Sequence, residues 1–309
     1  MVVTNHRVLL FFVVACILSS CGNIVKNFDE RLSKKYERKG FTAESIDKNG
    51  HHLYYWDNKK EDAPILLFVH GFGGDGKISW VEQAFEFQKD YRVIIPDILW
   101  FGESYSSKTP SLSTQIHALK TLIEELKLKD INLCGISYGG FIVLGYANKF
   151  PKDLKTLCIV DSPGNVITDK EIQDFCESVG VKNIEEAFIP RDEKDVNRLL
   201  NFSFYKPPSL PGFIQKQTIG IYFSKNPEEQ KALLEDLPKN RDSVSGQMKM
   251  PTLILWGKED EVFKEQNAID LQKEIGAEEL MIFNKAGHAL PEEKHKAFNE
   301  RYELFLKGN

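Results

Sequence analysis

The sequence has few cysteines and no excess of positive charge. Five of its 309 residues are Cys, and none of them stands in a CxxC pair or a Cys/His cluster, so neither a disulfide framework nor a zinc site is expected. Forty Lys and Arg face 45 Asp and Glu, which gives a net charge of -5. This balance argues against a nucleic-acid partner.

A hydrophobic run long enough to cross a membrane is also missing. The longest candidate is short: Arg7 is followed by VLLFFVVACIL from Val8 to Leu18, and then by small residues. A spanning helix needs about 20 apolar residues. A basic residue, a short apolar run and small residues are typical of a secretory signal. We therefore predict that residues 1–20 are a signal peptide.

The end of that signal, LSSC, resembles a bacterial lipobox. The resemblance implies that Cys21 is lipidated, with palmitate among its lipids, and anchors an exported protein to an envelope membrane, inner or outer. Two alternatives stay open: an ordinary signal peptide, or an uncleaved short anchor, with Cys21 incidental. Residues 21–40 are charged and weakly apolar, which predicts a flexible tether.

The remaining cysteines have no pattern that suggests chemistry. Cys134 and Cys158 lie in apolar, strand-like runs and are predicted to be small buried hydrophobes. No metal and no nucleotide cofactor is implied by any cluster of residues in the chain.

Short apolar runs alternate with stretches of helical periodicity. Continuous runs such as PILLFVHG and YRVIIPD suit strands that are buried on both faces, and Ser113 to Leu126 has helical spacing. Near the start, two short strands flank a turn at Lys48-Asn49-Gly50. The alternation predicts an α/β fold with a mostly parallel sheet and helices on both faces.

About eighty residues interrupt this alternation before the late strand PTLILWGKED. A structureless loop of that length is implausible in a compact domain. The stretch contains helical segments at Asp169 to Val179, Lys194 to Leu200 and Pro227 to Leu237. We predict that residues 165–247 form a helical cap, inserted into a core made of residues 41–164 and 248–309.

Residues GISYG, from Gly135 to Gly139, follow a predicted strand and open a predicted helix. G-x-S-x-G in that context is typical of a nucleophile elbow, where a strained turn raises the serine hydroxyl above the sheet. Alone, the pentapeptide is a weak pattern, because a serine that merely starts a helix gives the same letters. Ser137 is the candidate nucleophile.

An earlier buried strand ends in HGFGG, from His70 to Gly74. A tetrahedral acyl-transfer intermediate carries a negative oxygen that fixed N–H donors must stabilise. The backbone N–H groups of Phe72 and Tyr138 are the candidate pair for this oxyanion hole. His70 is predicted to shape the loop rather than to act as a base.

Two later strand ends carry the partners that a serine nucleophile needs. Asp260 follows the strand in WGKED, and His288 follows the last strand in KAGHAL. An imidazole takes the serine proton, and a carboxylate fixes the ring and stabilises the imidazolium. Asp161, at the end of another strand, is the alternative acid. The other histidines without a motif are predicted to be surface residues: His51, His52, His117 and His295.

Taken together, HGFGG, PDILWFGES, GISYGG, WGKED and AGHALPEE resemble the α/β-hydrolase superfamily in order and spacing, from about Phe41 to the end. The cap stretch LLNFSFYKPPSLPGF resembles that of monoacylglycerol-lipase-like hydrolases. The resemblance implies a serine carboxylesterase with Ser137, Asp260 and His288 as its catalytic triad. Its implied substrate is a small-molecule apolar acyl ester, such as a monoacylglycerol.

Two other functions stay open. A carbon–carbon bond hydrolase of the meta-cleavage-product type uses the same triad but needs a cation for the substrate carboxylate, and Arg191 and Arg198 are the candidates in the cap. The other is a non-catalytic ligand binder on the same scaffold. The cap aromatics line an acyl pocket or only hold the cap on the core: Phe202, Phe204, Tyr205, Phe213, Tyr222 and Phe223. The sequence does not predict the oligomeric state.

Overall fold

The computed structural model describes residues 23–309, so the predicted signal peptide and Cys21 lie outside the described residues. Nine strands and thirteen α-helices follow one another in the described part of the chain. The strands are β1 Thr42–Lys48, β2 His51–Asp57, β3 Ile65–Val69, β4 Arg92–Pro96, β5 Tyr105–Ser106, β6 Ile131–Ile136, β7 Leu154–Val160, β8 Thr252–Gly257 and β9 Glu279–Phe283. The helices are α1 Ile24–Arg38, α2 Gly76–Ser79, α3 Val81–Phe87, α4 Leu112–Glu125, α5 Tyr138–Lys149, α6 Asp169–Ser178, α7 Ile184–Phe188, α8 Glu193–Ser203, α9 Gly212–Thr218, α10 Pro227–Asn240, α11 Glu265–Ile275, α12 Leu290–Glu293 and α13 His295–Gly308.

All the strands join one sheet in the order β1-β2-β4-β3-β6-β7-β8-β9, and β5 adds to β2. In the sheet, β4, β3, β6, β7, β8 and β9 are each parallel to their neighbours in that order. At one edge, β2 pairs antiparallel with both β1 and β4. Because parallel strands all end at the same edge, the loops after β3, β6, β8 and β9 meet above the sheet. The predicted α/β fold with a mostly parallel sheet is confirmed.

Both faces of the sheet are buried, which explains why its central strands read as unbroken apolar runs. In β3, Leu67 and Val69 point into one core cluster with α4 and α5. Leu66 and Phe68 alternate into a second cluster, which also contains residues of α1, α3 and α13. Because successive side chains of a strand point to opposite faces, β3 contributes to two separate cores, each covered by its own layer of helices.

The antiparallel edge is built as predicted around Asn49 and Gly50, whose positive φ angles of 56° and 83° suit a tight hairpin turn. The prediction that His51 is a surface residue is wrong. Its ring is buried beside β5, where Nδ1 lies 2.8 Å from the hydroxyl oxygen of Ser106. Pairing of β5 with β2 covers this position, and no pattern in the sequence predicts a strand of only two residues there.

The prediction of a flexible tether over residues 21–40 is wrong, because this stretch contains helix α1. Asn23 caps it by accepting a hydrogen bond from the Lys26 N–H. Leu32 and Tyr36 are buried against the core, and the Tyr36 ring packs on Phe41 at a centroid distance of 5.1 Å. Val25, Phe28, Leu32 and Tyr36 lie on one face of the helix and pack toward the body, an apolar stripe that the sequence analysis missed.

The stretch between β7 and β8 holds helices α6 to α10, which include the three helices predicted there. Two elements were missed: α7, and α9 with a π-helical continuation at Ile219–Phe223. A small cluster containing Phe175, Phe188 and Phe202 joins these helices to one another. Among residues 23–309, no helix combines the length and the apolar character that crossing a bilayer requires.

Candidate active site

Ser137 stands at the sharp turn between β6 and α5, with φ 54° and ψ -121°. An L-residue adopts this strained conformation only when its surroundings hold it there. The flanking glycines make room for the turn. A Cβ atom on Gly135 would lie 2.5 Å from the Gly139 carbonyl oxygen, and one on Gly139 would lie 2.3 Å from the His70 carbonyl oxygen. The G-x-S-x-G pattern is therefore a packing requirement of the elbow.

The side chains of Ser137 and His288 meet above the sheet. His288 Nε2 lies 2.8 Å from Ser137 Oγ, although 151 positions separate the two residues in the chain. The opposite ring nitrogen, Nδ1, lies 2.8 Å from Asp260 Oδ2. A proton on Nδ1 is donated to the carboxylate, which leaves Nε2 free to accept the serine proton. The three residues form one hydrogen-bonded chain.

Asp260 is held in place by its own backbone neighbours. Its second oxygen, Oδ1, accepts hydrogen bonds from the N–H groups of Val262 at 2.7 Å and Phe263 at 3.0 Å. The Phe263 ring also meets the His288 ring edge-on, with centroids 5.5 Å apart. The loop after β8 therefore fixes both the acid and one side of the imidazole.

Asp161, the alternative acid, does not reach the histidine. It leaves β7 in a left-handed conformation, with φ 43°, and its Oδ1 accepts the Gly257 N–H at 2.7 Å. Complete burial, and then the nearby charge of Asp260, raise the pKa of the Asp161 carboxyl well above its usual range. Its position indicates a structural tie between the ends of β7 and β8.

The HGFGG loop lies directly against the elbow. A Cβ atom on Gly71 would be 3.0 Å from Ser137 Cβ, so glycine is required for the close approach. Phe72 and Tyr138 line the same cavity as Ser137, which places the two predicted oxyanion donors on the serine's side of the site. The assignment of their N–H groups to an oxyanion hole stays a prediction.

His70 shapes this loop, as predicted, and does not touch the Ser–His–Asp chain. Its Nε2 accepts the Ile98 N–H at 3.0 Å, and its Nδ1 lies 2.8 Å from the Gly71 carbonyl oxygen. Only a neutral ring with its proton on Nδ1 satisfies both contacts. Burial lowers the pKa of His70 to about 4, which keeps the ring neutral.

An apolar cavity of about 60 Å³ opens beside Ser137, between the core and the cap. Its walls come from the HGFGG loop, which we name the oxyanion loop, from α5 and from three cap helices. The aliphatic side chains of the cap that line it are Ile167, Ile172, Ile184, Leu234 and Leu237. Such a surface can bury the hydrocarbon part of a ligand whose reactive carbon sits at Ser137.

A second and wider space of about 250 Å³ lies on the His288 side of the serine. We name it the mouth cleft; its lining includes Ser137, His288, Phe204, Phe223 and Glu292. It is more polar than the apolar cavity, and it meets that cavity at the serine. A bound ester can therefore place its two ends in different surroundings.

The cap aromatics divide between the two roles that the sequence left open. Phe204 and Phe223 line the mouth cleft, whereas Phe202 packs inside the cap cluster. Tyr205 and Phe213 are exposed. None of them lines the apolar cavity. Its walls carry Ile, Leu and Phe188 at positions that resemble ordinary core residues, which is why the sequence did not single them out.

Glu293 is a further residue that the sequence analysis missed. Its Oε2 accepts the Gly287 N–H at 2.7 Å, one residue before His288. The same carboxylate accepts the N–H groups of Tyr205 and Lys206, in the cap loop that follows α8. One side chain thus joins the histidine loop to the cap. The only signal was its place in AGHALPEE.

The three cysteines among residues 23–309 are free and buried. Cys134 and Cys158 are buried on neighbouring strands, as predicted, and Cys176 is also buried. Among residues 23–309, no group of three or more His, Cys, Asp or Glu side chains is placed to hold a metal ion.

A parallel sheet with a serine elbow and a later acid and histidine defines the α/β hydrolases. The model of a family described as the alpha/beta hydrolase fold matches residues 64–295. The chain belongs to this family.

Relatives and solved structures agree with this assignment. Lipase 1 of Psychrobacter immobilis is 31% identical over 89% of this chain and 86% of its own length. The human monoacylglycerol lipase ABHD6 is 27% identical over 78% of this chain and 74% of its own length. A bacterial membrane phospholipase A superposes with a TM-score of 0.78 over 92% of this chain and 91% of its own, at 22% identity. The protein is a hydrolase that acts on esters.

Proposed function

We propose that this hydrolase cleaves apolar acyl esters, with monoacylglycerols as the leading substrate class, through an acyl-enzyme on Ser137. The hydrogen-bonded chain from Ser137 through His288 to Asp260, opening onto an apolar cavity, is the observation that carries the proposal. Serine is a weak nucleophile at its ordinary pKa and needs an adjacent base of this kind.

In the first half-reaction, His288 Nε2 takes the proton from Ser137 Oγ as that oxygen bonds to the ester carbonyl carbon. The carbonyl oxygen becomes an anion, which the N–H groups of Phe72 and Tyr138 stabilise. Asp260 stabilises the imidazolium that forms. The tetrahedral intermediate then collapses, the carbon–oxygen bond to the alcohol breaks, and His288 gives its proton to the departing alcohol.

In the second half-reaction, a water molecule enters from the mouth cleft. His288 Nε2 takes one of its protons while the water oxygen attacks the acyl carbon. The second intermediate collapses, the bond to Ser137 Oγ breaks, and the proton on His288 returns to the serine. The carboxylic acid leaves, and the free enzyme is restored without any cofactor.

The two spaces beside Ser137 support an apolar acyl chain and a more polar alcohol. The apolar cavity carries no acidic side chain and suits hydrocarbon, whereas Glu292 in the mouth cleft offers a hydrogen-bond acceptor to a hydroxylated alcohol. The names of the lipase and monoacylglycerol lipase relatives favour the same substrate class.

The carbon–carbon hydrolase alternative lacks the cations that it was expected to use. Arg198 is engaged with Asp195 Oδ1 at 2.6 Å and with the Glu186 carbonyl oxygen, and Arg191 is exposed. Neither lines the apolar cavity or the mouth cleft. Arg241 does line the apolar cavity, and its Nη1 lies 2.8 Å from Oδ1 of the exposed Asp169. Ester hydrolysis is the better-supported reaction.

A panel of p-nitrophenyl esters of rising chain length tests the proposal, with a vinylogous diketone acid as the competing substrate. We expect turnover of medium-chain esters and none of the diketone. A fluorophosphonate probe should label the wild type, and Ser137→Ala should lose both labelling and turnover. A folded wild type that takes up no probe would instead favour a non-catalytic binder.

We also propose that the protein is exported and anchored to a bacterial envelope membrane through lipid on Cys21. The apolar run Val8 to Leu18 and the letters LSSC support this. Growth with an alkyne analogue of palmitate should label the wild type but not Cys21→Ala. Release of the variant into the soluble fraction supports the anchor. An unlabelled wild type that is released supports an ordinary signal peptide. An unlabelled wild type that stays membrane-bound with its N-terminus intact supports an uncleaved anchor.

A further inference from the structure

One carboxylate in α1 connects the body of the protein to the cap. Asp29 Oδ1 lies 2.7 Å from Lys77 Nζ, which belongs to α2 in the body. The same oxygen accepts a hydrogen bond of 3.1 Å from the Tyr222 hydroxyl, which belongs to the cap, 193 positions away. Asp29 is therefore shared between two parts of the fold.

On the body side, the contact is firm. Lys77 is almost completely buried, and a buried ammonium needs an anionic partner close by. Its Nζ also lies 3.0 Å from Ser33 Oγ, and its carbonyl oxygen accepts the hydroxyl of the buried Tyr36. Helix α2 follows the HGFGG loop after a single residue, Asp75. Asp29 is thus fixed relative to the oxyanion loop.

On the cap side, the contact holds a segment whose side chains are at most half-buried. Tyr222 lies in the π-helical stretch Ile219–Phe223, in which no residue is buried. A polar cavity of about 240 Å³, lined by Asp29, Gly74 and Tyr222 among others, separates part of this stretch from the body. π-Helical turns are rare and occur frequently at functional sites. Few contacts make such a segment easy to displace.

The next residue, Phe223, forms a wall of the mouth cleft. Its ring lies against the oxyanion loop, where a Cβ atom on Gly73 would be 3.0 Å from the Phe223 Cε1. Ser137 and His288 line the same cleft. The position of this wall therefore depends on how the π-helical stretch is held.

Other contacts also fasten this part of the cap, among them the buried Gln230, whose Nε2 donates to the carbonyl oxygens of Trp100 and Lys225. The Val25 N–H bonds to Gln217 Oε1 at 3.2 Å, which ties α1 to α9 upstream of the stretch. Lys225 and Glu103 form an ion pair of 2.7 Å downstream of it, but both side chains are more than half exposed. Exposed ion pairs contribute little to stability, whereas hydrogen bonds to charged groups contribute more. The Asp29–Tyr222 bond is the stronger constraint on Tyr222 itself.

We propose that Asp29 is a positioning residue for ester hydrolysis: through Tyr222, it holds Phe223 in place as a wall of the cleft that receives the alcohol part of the substrate. The inference rests on the proposed function. It makes α1 part of the substrate site, although no residue of α1 contacts the Ser–His–Asp chain. Loss of the hydrogen bond weakens binding of esters with a large alcohol and leaves the triad unchanged.

Tyr222→Phe is the sharpest test, because it removes one hydroxyl and keeps the ring. For 1-octanoylglycerol we expect KM to rise about fivefold and kcat to stay within twofold. A fivefold rise in KM corresponds to the loss of about one hydrogen bond. For methyl octanoate, which has the same acyl group and a minimal alcohol, both constants should stay within twofold. Tyr205→Phe is the matched control, since Tyr205 is an exposed tyrosine of the same cap, and it should change neither substrate.

A double-mutant cycle tests the connection to Asp29. Asp29→Ala and Asp29→Ala/Tyr222→Phe should show the same KM for 1-octanoylglycerol, because both lack the bond. Additive effects would overturn the proposal, as would equal losses on both esters in Tyr222→Phe. If Asp29→Ala does not fold, the Tyr222→Phe comparison alone decides.

Failure of this inference can be told apart from failure of the proposed function. A wild type that takes the fluorophosphonate probe and cleaves both esters, with Tyr222→Phe indistinguishable from it, refutes only the role of Asp29. A wild type that cleaves neither ester refutes the proposed function.

Discussion

Asp161 and Asp260 follow neighbouring parallel strands, yet only Asp260 reaches the imidazole of His288. Asp161 instead accepts the Gly257 N–H, at the end of the strand that carries Asp260. Burial and the charge of Asp260 raise the pKa of the Asp161 carboxyl above its usual range. One carboxylate is placed to serve the chemistry, and the other joins the two strand ends.

The first prediction separates these two roles. Asp260→Asn should lower kcat by about 10⁴-fold, because an amide cannot stabilise the imidazolium and favours the wrong tautomer. Asp161→Asn should keep kcat within about threefold, since the amide oxygen can still accept the Gly257 N–H. Turnover of p-nitrophenyl octanoate measures both. If Asp161→Asn alone abolishes turnover, Asp161 is the acid.

Much of this site could be predicted from the sequence because its geometry is encoded locally. Gly135 is required by a contact inside the elbow and Gly139 by the neighbouring strand end at His70, and both fit the short G-x-S-x-G pattern. Asp260 and His288 each follow a recognisable strand. Parallel topology then brings the loops together without further information. These features follow from short stretches of chain.

The remaining features depend on tertiary contacts. The apolar stripe of α1 was present in the sequence but was missed, whereas the Asp29–Lys77 pair joins distant parts of the chain and has no local signal. The lining of the apolar cavity comes from several cap helices, whose Ile and Leu side chains have the same spacing as core residues. No period distinguishes a residue that faces a cavity from one that faces a neighbouring helix.

The second prediction concerns the elbow. Gly139→Ala places a Cβ atom 2.3 Å from the His70 carbonyl oxygen, and backbone on both sides must shift to relieve the overlap. The free energy of unfolding should fall by about 3 kcal/mol, and turnover should fall with it. Urea denaturation measures the first quantity. Gly308→Ala is the control, because no atom lies within 4 Å of a Cβ there, and it should cause no loss.

The third prediction concerns pH. Burial lowers the pKa of His70 to about 4, against about 6.5 in an unfolded chain. Below pH 6.5 the unfolded state binds a proton that the folded state does not, so the contribution of His70 to stability is lost as the pH falls from about 6.5 to about 4. The difference in pKa corresponds to about 3 kcal/mol.

Urea denaturation of the wild type and His70→Gln at pH 7, 5.5 and 4 isolates this contribution. Glutamine can donate to the Gly71 carbonyl and accept from the Ile98 N–H but does not titrate. The difference between the free energies of unfolding of the wild type and His70→Gln, which is the gap in stability, should therefore decrease as the pH falls. A gap that stays constant would mean that folding leaves the pKa of His70 unchanged, and a gap that widens would mean that folding raises it.

The fourth prediction concerns the apolar cavity as the site of the acyl chain. Ile184→Trp adds bulk to its wall and should leave less room for hydrocarbon beside Ser137. We expect kcat/KM for p-nitrophenyl octanoate to fall at least about tenfold, a barrier increase of about 1.4 kcal/mol, while that for the acetate stays within about threefold. Leu304→Trp, on the exposed surface of α13, is the matched control and should alter neither ester. Equal losses on both esters would place the acyl chain elsewhere, and the mouth cleft is then the next site to narrow in the same way.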